Sequence, residues 1–284
     1  MSLTLAALLP LLAQIGPTGT QMQAPLDLPR KKAAVSGPPA PVTANPVVQR
    51  LRECLDLTQT DAAAAVTSAI AWRDGAVGSA RVPAGHCLGL ALSEQGDFAG
   101  AEAAFLGARA DVSSSDSADK ARLGTMAANA AMAAGGADRA LGMLAAAQAD
   151  ARSAADKVLA AEVGIDRARA LVAMKRDAEA AAVLAEARAD APGNGLAWLL
   201  SATLSRRAGK LGEAQAFIEK ASAIAPQDPD IGLEAGVIAV LAARDDAARK
   251  SWRSVIATAP GSDQAKVAKG YLDQLDPGPT SEGR

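Results

Sequence analysis

At 284 residues with a formal charge of −2, the chain carries no basic field of the kind that draws proteins onto nucleic acid or anionic membranes. Aromatic residues make up 2% of it and alanine about a quarter, which excludes the Val-, Thr- and aromatic-rich faces of a β-sandwich or barrel. Its long apolar stretches are Ala and Leu, the strongest helix formers, so the expected fold class is all-α, with a core of small side chains spread along stacked elements.

Taken in chain order, Leu3 to Ile15 (LTLAALLPLLAQI) is apolar and too short to cross a bilayer as a helix. It reads as the hydrophobic region of a secretory signal, which assigns residues 1–24 to a segment removed on export. Two features oppose that reading. The first basic residue is Arg30, and the best cleavage position, after Ala24 in TQMQA, has Met22 where a small residue is preferred. The opposing reading is an apolar N-terminal helix or a mistaken start. Residues 25–45, with Pro25, Pro29, Pro38, Pro39 and Pro41, read as an extended linker in which Arg30-Lys31-Lys32 is solvated. Residues 46–81 predict an atypical helix pair with Leu51, Cys54, Leu55, Val66, Ala69 and Ile70 as core. Beyond it, helices alternate with breaks at Gly96-Asp97, Gly135-Gly136, Pro192-Gly193, Gly209-Lys210, Pro226 and Pro260-Gly261. Ser262 to Leu275 predicts a capping helix with Ser262 as N-cap and Val267, Tyr271 and Leu275 on its inner face. Residues 276–284 read as a disordered tail.

The breaks are periodic. Pro192, Pro226 and Pro260 recur at one constant interval, each directly after alanine. Ala180, Leu184 and Ala187 precede the first at the same distances as Ala214, Ile218 and Ala221 precede the second, and Ala248, Trp252 and Val255 the third. One more unit shows the pattern well: Leu88, Gly89 and Leu92, then Gly96 and Phe98, then Ala101, Phe105 and Ala108. The unit from Gly195 adds Trp198, Ala202 and Gly209, and the unit from Pro229 adds Gly236. Two degenerate units begin at Ala121 (Ala128, Gly135, Ala140, Leu144, Ala147) and Ala161 (Ala168, Leu171). Each starts later than the proline interval requires, which predicts longer loops or extended helices near DVSSSDSAD and DARSAAD. This pattern resembles the tetratricopeptide repeat family. The resemblance implies a right-handed α-solenoid of about five helix pairs over residues 82–275 plus a cap. It also implies a bacterial-type scaffold that binds protein or peptide along the face lined by the first helices.

No catalytic arrangement emerges from the residues, and no cofactor is expected. Gly209-Lys210-Leu211 lacks the flanking residues of a phosphate loop, Gly193-Asn194-Gly195 follows no strand, and a triad would have to use the single histidine, His86. His86 itself reads as a packed residue ahead of a partner contact. Some members of the family hold a C-terminal carboxylate with Lys, Arg and Asn; here those positions carry His86, Leu90, Met126, Glu162 and Asp166, which cannot. The inward positions instead offer Leu196, Leu199, Leu233, Val237, Val240 and Leu241, with Arg206 and Arg207 at the rim. That set is the candidate groove for an amphipathic helix or extended peptide; the alternative is that neighbouring helices cover it. Cys54 and Cys87 form a disulfide stapling the atypical pair to the first repeat if the chain is exported, and are buried thiols if it is not. The reading is an exported, periplasmic protein-binding scaffold with no nucleic-acid partner and no stable membrane span. Its rival is a cytoplasmic structural or regulatory subunit that self-associates as a homo-oligomer.

Overall fold

Short polar residues mark where the helices begin. The side chains of Asn45, Asp61, Asp97, Asp116, Asp156, Asn194, Asp228 and Ser262 each accept a hydrogen bond from a backbone N–H in the following first turn, at 2.9–3.3 Å. Each bond satisfies a donor that the helix itself leaves orphaned. The structure, a computed structural model, describes residues 45–276. The apolar segment 1–24, the linker up to residue 44 and the tail from residue 277 lie outside the described residues.

Within them are thirteen α-helices and no strand. Helices α1 (Pro46–Thr60) and α2 (Ala62–Asp74) lead through a 3-10 turn (Gly78–Arg81) to five repeats. These are α3 (Val82–Glu94) with α4 (Phe98–Asp111), α5 (Ser117–Ala133) with α6 (Ala137–Ser153), and α7 (Lys157–Ala173) with α8 (Asp177–Asp190). Then come α9 (Gly195–Arg207) with α10 (Leu211–Ile224), α11 (Pro229–Leu241) with α12 (Asp245–Thr258), and the closing α13 (Asp263–Leu275). The chain is an all-α solenoid. First helices follow one another along one face, α5, α7, α9, α11 and α13 in series, and every second helix also touches the next first helix.

Helix ends follow from backbone chemistry. Every first helix of a repeat ends in a left-handed residue: Gly96, Gly135 and Gly209 at φ near 77°, 79° and 74°, with Lys175 and Ala243 taking the same place at 59° and 55°. Only glycine adopts that conformation freely, so the third and fifth repeats carry local strain. The second helices α8, α10 and α12 stop two residues before Pro192, Pro226 and Pro260. Proline bars its predecessor from helical geometry, and Ala191, Ala225 and Ala259 sit at φ −133°, −132° and −137°. Helix α6 has Arg152 in place of that proline and runs on to Ser153. Helices α5, α6 and α7 are each 17 residues long. The extra residues of the degenerate units are therefore mostly helix, and only residues 112–116 and 154–156 remain as breaks.

The two helices of each repeat cross where a small residue of the first meets a large one of the second. A Cβ added to Gly89 would lie 2.4 Å from the Phe105 ring, and one added to Gly236 would lie 2.1 Å from Trp252. Where the first-helix residue is alanine, the opposing side chain is smaller: Leu144 opposite Ala128, Leu184 opposite Ala168, Ile218 opposite Ala202. The larger side chain thus faces the smaller partner, and both are buried. Ala101, Ala140, Ala180, Ala214 and Ala248 are fully buried in the second helices, and Ala108, Ala147, Ala187, Ala221 and Val255 are nearly so.

The terminal helices depart from expectation at three places. Ile70 is 38% exposed, because α2 turns Ala65, Ala69 and Trp72 inward instead. Val267 is 42% exposed, since α13 buries Ala265 and Ala268 and lays Tyr271, Leu272 and Leu275 against the α11–α12 cluster. Asp276, assigned above to the tail, belongs to the fold: its carboxylate accepts three hydrogen bonds from Arg249 at 2.8–3.1 Å.

Gly270 stands one full repeat after Gly236, yet an added Cβ there meets nothing within 4 Å. Among the described residues no second helix packs on α13. Gly236→Ala is therefore expected to destabilise the fold by about 1–3 kcal/mol through overpacking. Gly270→Ala is expected to stabilise it by about 0.5–1 kcal/mol through helix propensity. Urea denaturation of the two variants checks both signs.

Candidate interaction face

The first-helix face is held together by polar rungs between successive repeats. Asn129 Nδ2 of α5 donates to Asp166 Oδ2 of α7 at 3.0 Å, and Arg169 Nη1 donates to the other oxygen at 2.7 Å. Arg206 of α9 makes a two-pronged ion pair with Glu234 of α11, at 2.6 and 3.2 Å. Gln264 of α13 donates to Asp230 of α11 at 2.8 Å. Both partners of the Arg206–Glu234 pair are largely covered, so its charges are better matched to each other than to water. Arg206 is thus a structural tie between repeats, which corrects its place as a free rim cation. Arg207 is exposed and has no ion pair among the described residues; it lines a small cleft between α7 and α9 with Arg169, Val172 and Leu200.

The apolar residues separate in the same way. Leu199 is 8% exposed and lies in the α9–α11 seam with Ile231 and Ile238, so it is core and not groove. Leu196 is exposed at the start of α9, apart from the others. Leu233 is half-buried against the cluster around Trp252. Val237, Val240 and Leu241, in contrast, come together with Tyr271 and Leu275 in a cleft of about 320 Å3 between α11 and α13, with Trp252 behind it. Leu241 is 53% exposed there. The cap's contribution was readable from the period: Tyr271 and Leu275 follow Val237 and Leu241 by one full repeat. Assigning α13 only to a covering role hid it.

At the other end of the chain Cys54 of α1 and Cys87 of α3 are joined by a disulfide, with Cα atoms 6.3 Å apart and both residues buried. His86, beside Cys87, packs near Phe105, and burial pushes its pKa down against a weaker raising influence from Asp119. Among the described residues no group of three or more His, Cys, Asp or Glu is placed to hold a metal ion, and no helix is long and apolar enough to cross a membrane.

No protein-family model and no curated protein matches this sequence. Solved structures do. The chain is similar to PilF of Pseudomonas aeruginosa, at 14% identity over 80% of this chain and 100% of that one, with a TM-score of 0.58. It is similar to PilW, described as a widely conserved type IV pilus biogenesis factor, at 15% identity over 79% and 99% of the two chains, with a TM-score of 0.60. BtubC from P. vanneervenii aligns at 16% identity over 84% and 94%, with a TM-score of 0.56. The fold is that of the tetratricopeptide repeat. At these identities the likeness establishes architecture, and the chemistry of the tetratricopeptide face has to come from this chain's own residues.

Within the tetratricopeptide solenoid the Cys54–Cys87 bond closes a sequence separation of 33 residues. Chain-entropy reasoning puts its stabilisation at roughly 3–4 kcal/mol. Reduction with a phosphine is expected to lower the denaturation midpoint and to raise amide exchange first in α1 and α2. An unchanged midpoint together with unchanged exchange would show that packing alone holds that pair.

Proposed function

We propose that this chain is a non-catalytic scaffold that binds a segment of another protein along its first-helix face, centred on the cleft between α11 and α13. The observation that carries the reading is the contiguous apolar lining of that cleft by Val237, Val240, Leu241, Tyr271 and Leu275, left open to solvent on a face where Asn129–Asp166, Arg206–Glu234 and Gln264–Asp230 are tied in rungs. An apolar patch rimmed by polar groups marks an interaction site. Each side chain it buries contributes on the order of 1.5–3 kcal/mol. The rungs between first helices fix the spacing of the walls, so a ligand meets a preformed cleft and loses less entropy in ordering it. Arg207, one helix away, supplies an unpaired cation that favours acidic residues at that end of the segment.

We further propose that the protein works outside the cytoplasm. The Cys54–Cys87 bond supports this, because disulfides persist in oxidising compartments, and so does the apolar stretch Leu3 to Ile15.

Two experiments test these readings. A Val240→Asp, Leu241→Asp variant, with Leu241 exposed and Val240 half-buried at the cleft edge, is first checked for unchanged helicity and melting and should capture native partners at least tenfold more weakly. Leu106→Asp, at an exposed site on the second-helix face, serves as its control. Equal capture by the folded double variant would remove the cleft as the site. For location, the mass of protein purified from its native host should correspond to a chain beginning near position 25. A mass that still includes the segment from Met1 to Ala24 would refute export with cleavage.

A further inference from the structure

The second-helix face holds a trench between α8 and α10. Helix α8 presents Ala178, Ala181, Ala182 and Ala185 along one exposed stripe, and α10 faces them with Phe217 across a floor formed by α9. The space enclosed is about 500 Å3, against about 320 Å3 for the α11–α13 cleft.

One end of the trench is closed by Arg188. Its guanidinium lies over Trp198 at 5.1 Å and over Phe217 at 4.3 Å, and donates to Ser201 Oγ. No carboxylate lies within ion-pairing distance of it among the described residues. Burial pushes the Arg188 pKa down, partly offset by the more distant Glu213. A cation that has lost part of its hydration without gaining a carboxylate is a ready anion partner.

The aromatic shelf beneath Arg188 belongs to the fourth repeat alone among the five. Four repeats carry glycine at the corresponding first-helix position, Gly85, Gly124, Gly164 and Gly232, and a Cβ added to Gly85 or Gly232 would lie 2.8 or 2.5 Å from a second-helix side chain. The fourth repeat alone carries Trp198, pinned by a 2.9 Å hydrogen bond from its Nε1 to the Pro192 carbonyl. Glu213, also in the wall, has its carboxylate engaged by the Ser205 hydroxyl at 2.9 Å. Asp177 and Lys210 stand at the far end with opposite charges.

We propose that this trench is a second binding site, for an extended acidic–aliphatic segment of a partner protein. Its carboxylate would sit on Arg188 and its aliphatic side chains against Ala181, Ala185 and Phe217. Shape selects a chain segment over a compact ligand. From Asp177 to Arg188 the wall runs roughly 16 Å at the helical rise, and it is open to solvent, whereas small-molecule sites enclose most of their ligand. The unpaired cation selects the acidic residue.

The probe is a pooled library of hexapeptides drawn from Leu, Ile, Val, Asp and Glu, titrated into the full chain, with a matched library in which Asn and Gln replace the acids. The readout is the nitrogen–proton spectrum of the Arg188 Nε–H and the Ala181 and Ala185 amides. Saturable shifts at all three are expected, with at least tenfold weaker apparent affinity for the amide library. Ala182→Trp fills the trench from an exposed position and should abolish the shifts at an unchanged melting temperature. The Val240→Asp, Leu241→Asp variant should leave them intact, which separates this site from the first-helix cleft. The proposal is overturned by any one of four results: no saturable shift, equal affinity for the two libraries, binding that survives Ala182→Trp, or shifts confined to α11 and α13.

Discussion

Every repeat in this chain depends on how closely its two helices can approach. The crossing is built from a glycine or alanine in the first helix, a fully buried alanine in the second, and one larger side chain sized to the space left over. Glycine pairs with Phe105 or Trp252, and alanine with Leu144, Leu184 or Ile218, so the larger partner is found where the first-helix residue is smallest. An alanine-rich composition is a direct consequence: small side chains bury little area each, and cohesion comes from repeating a close contact many times.

That arrangement leaves the first-helix face free to carry other chemistry, and the polar rungs occupy much of it. Asn129–Asp166–Arg169, Arg206–Glu234 and Gln264–Asp230 link first helices of neighbouring repeats, which otherwise meet over a narrow seam. Charged groups that would suggest a ligand clamp in isolation are consumed in holding the stack. The open apolar cleft lies toward the C-terminal end, where α13 supplies its second wall, while Arg207 stays exposed between α7 and α9 with no ion pair among the described residues.

The two ends are managed by different means. At the C-terminal end, Asp276 locks onto Arg249, and among the described residues nothing packs on the far side of α13 at Gly270. At the N-terminal end, α1 and α2 lack the repeat pattern and have fewer large buried side chains, and a covalent bond from Cys54 to Cys87 ties α1 to the first repeat. In the middle, Trp198 replaces the glycine found in the other repeats and spreads across the second-helix face, where it supports Arg188.

Sequence alone determined the helical class, the length of the repeat unit, most helix limits and the identity of the crossing residues. These are local or strictly periodic properties: proline forbids helical geometry before it, aspartate caps a first turn, and a repeat unit specifies its own internal packing. It also pointed to Val237, Val240 and Leu241 as inward residues. Only the tertiary structure decided what each inward residue meets, because that depends on the next repeat. Leu199 is sealed by Ile231 and Ile238, and Arg206 is claimed by Glu234, 28 residues away. The cleft needs Tyr271 and Leu275 from the cap, and the trench needs α8 and α10 held apart across α9. A repeat's sequence says which way a side chain points; the neighbour's side chains, placed by stacking, say whether it is still free to bind.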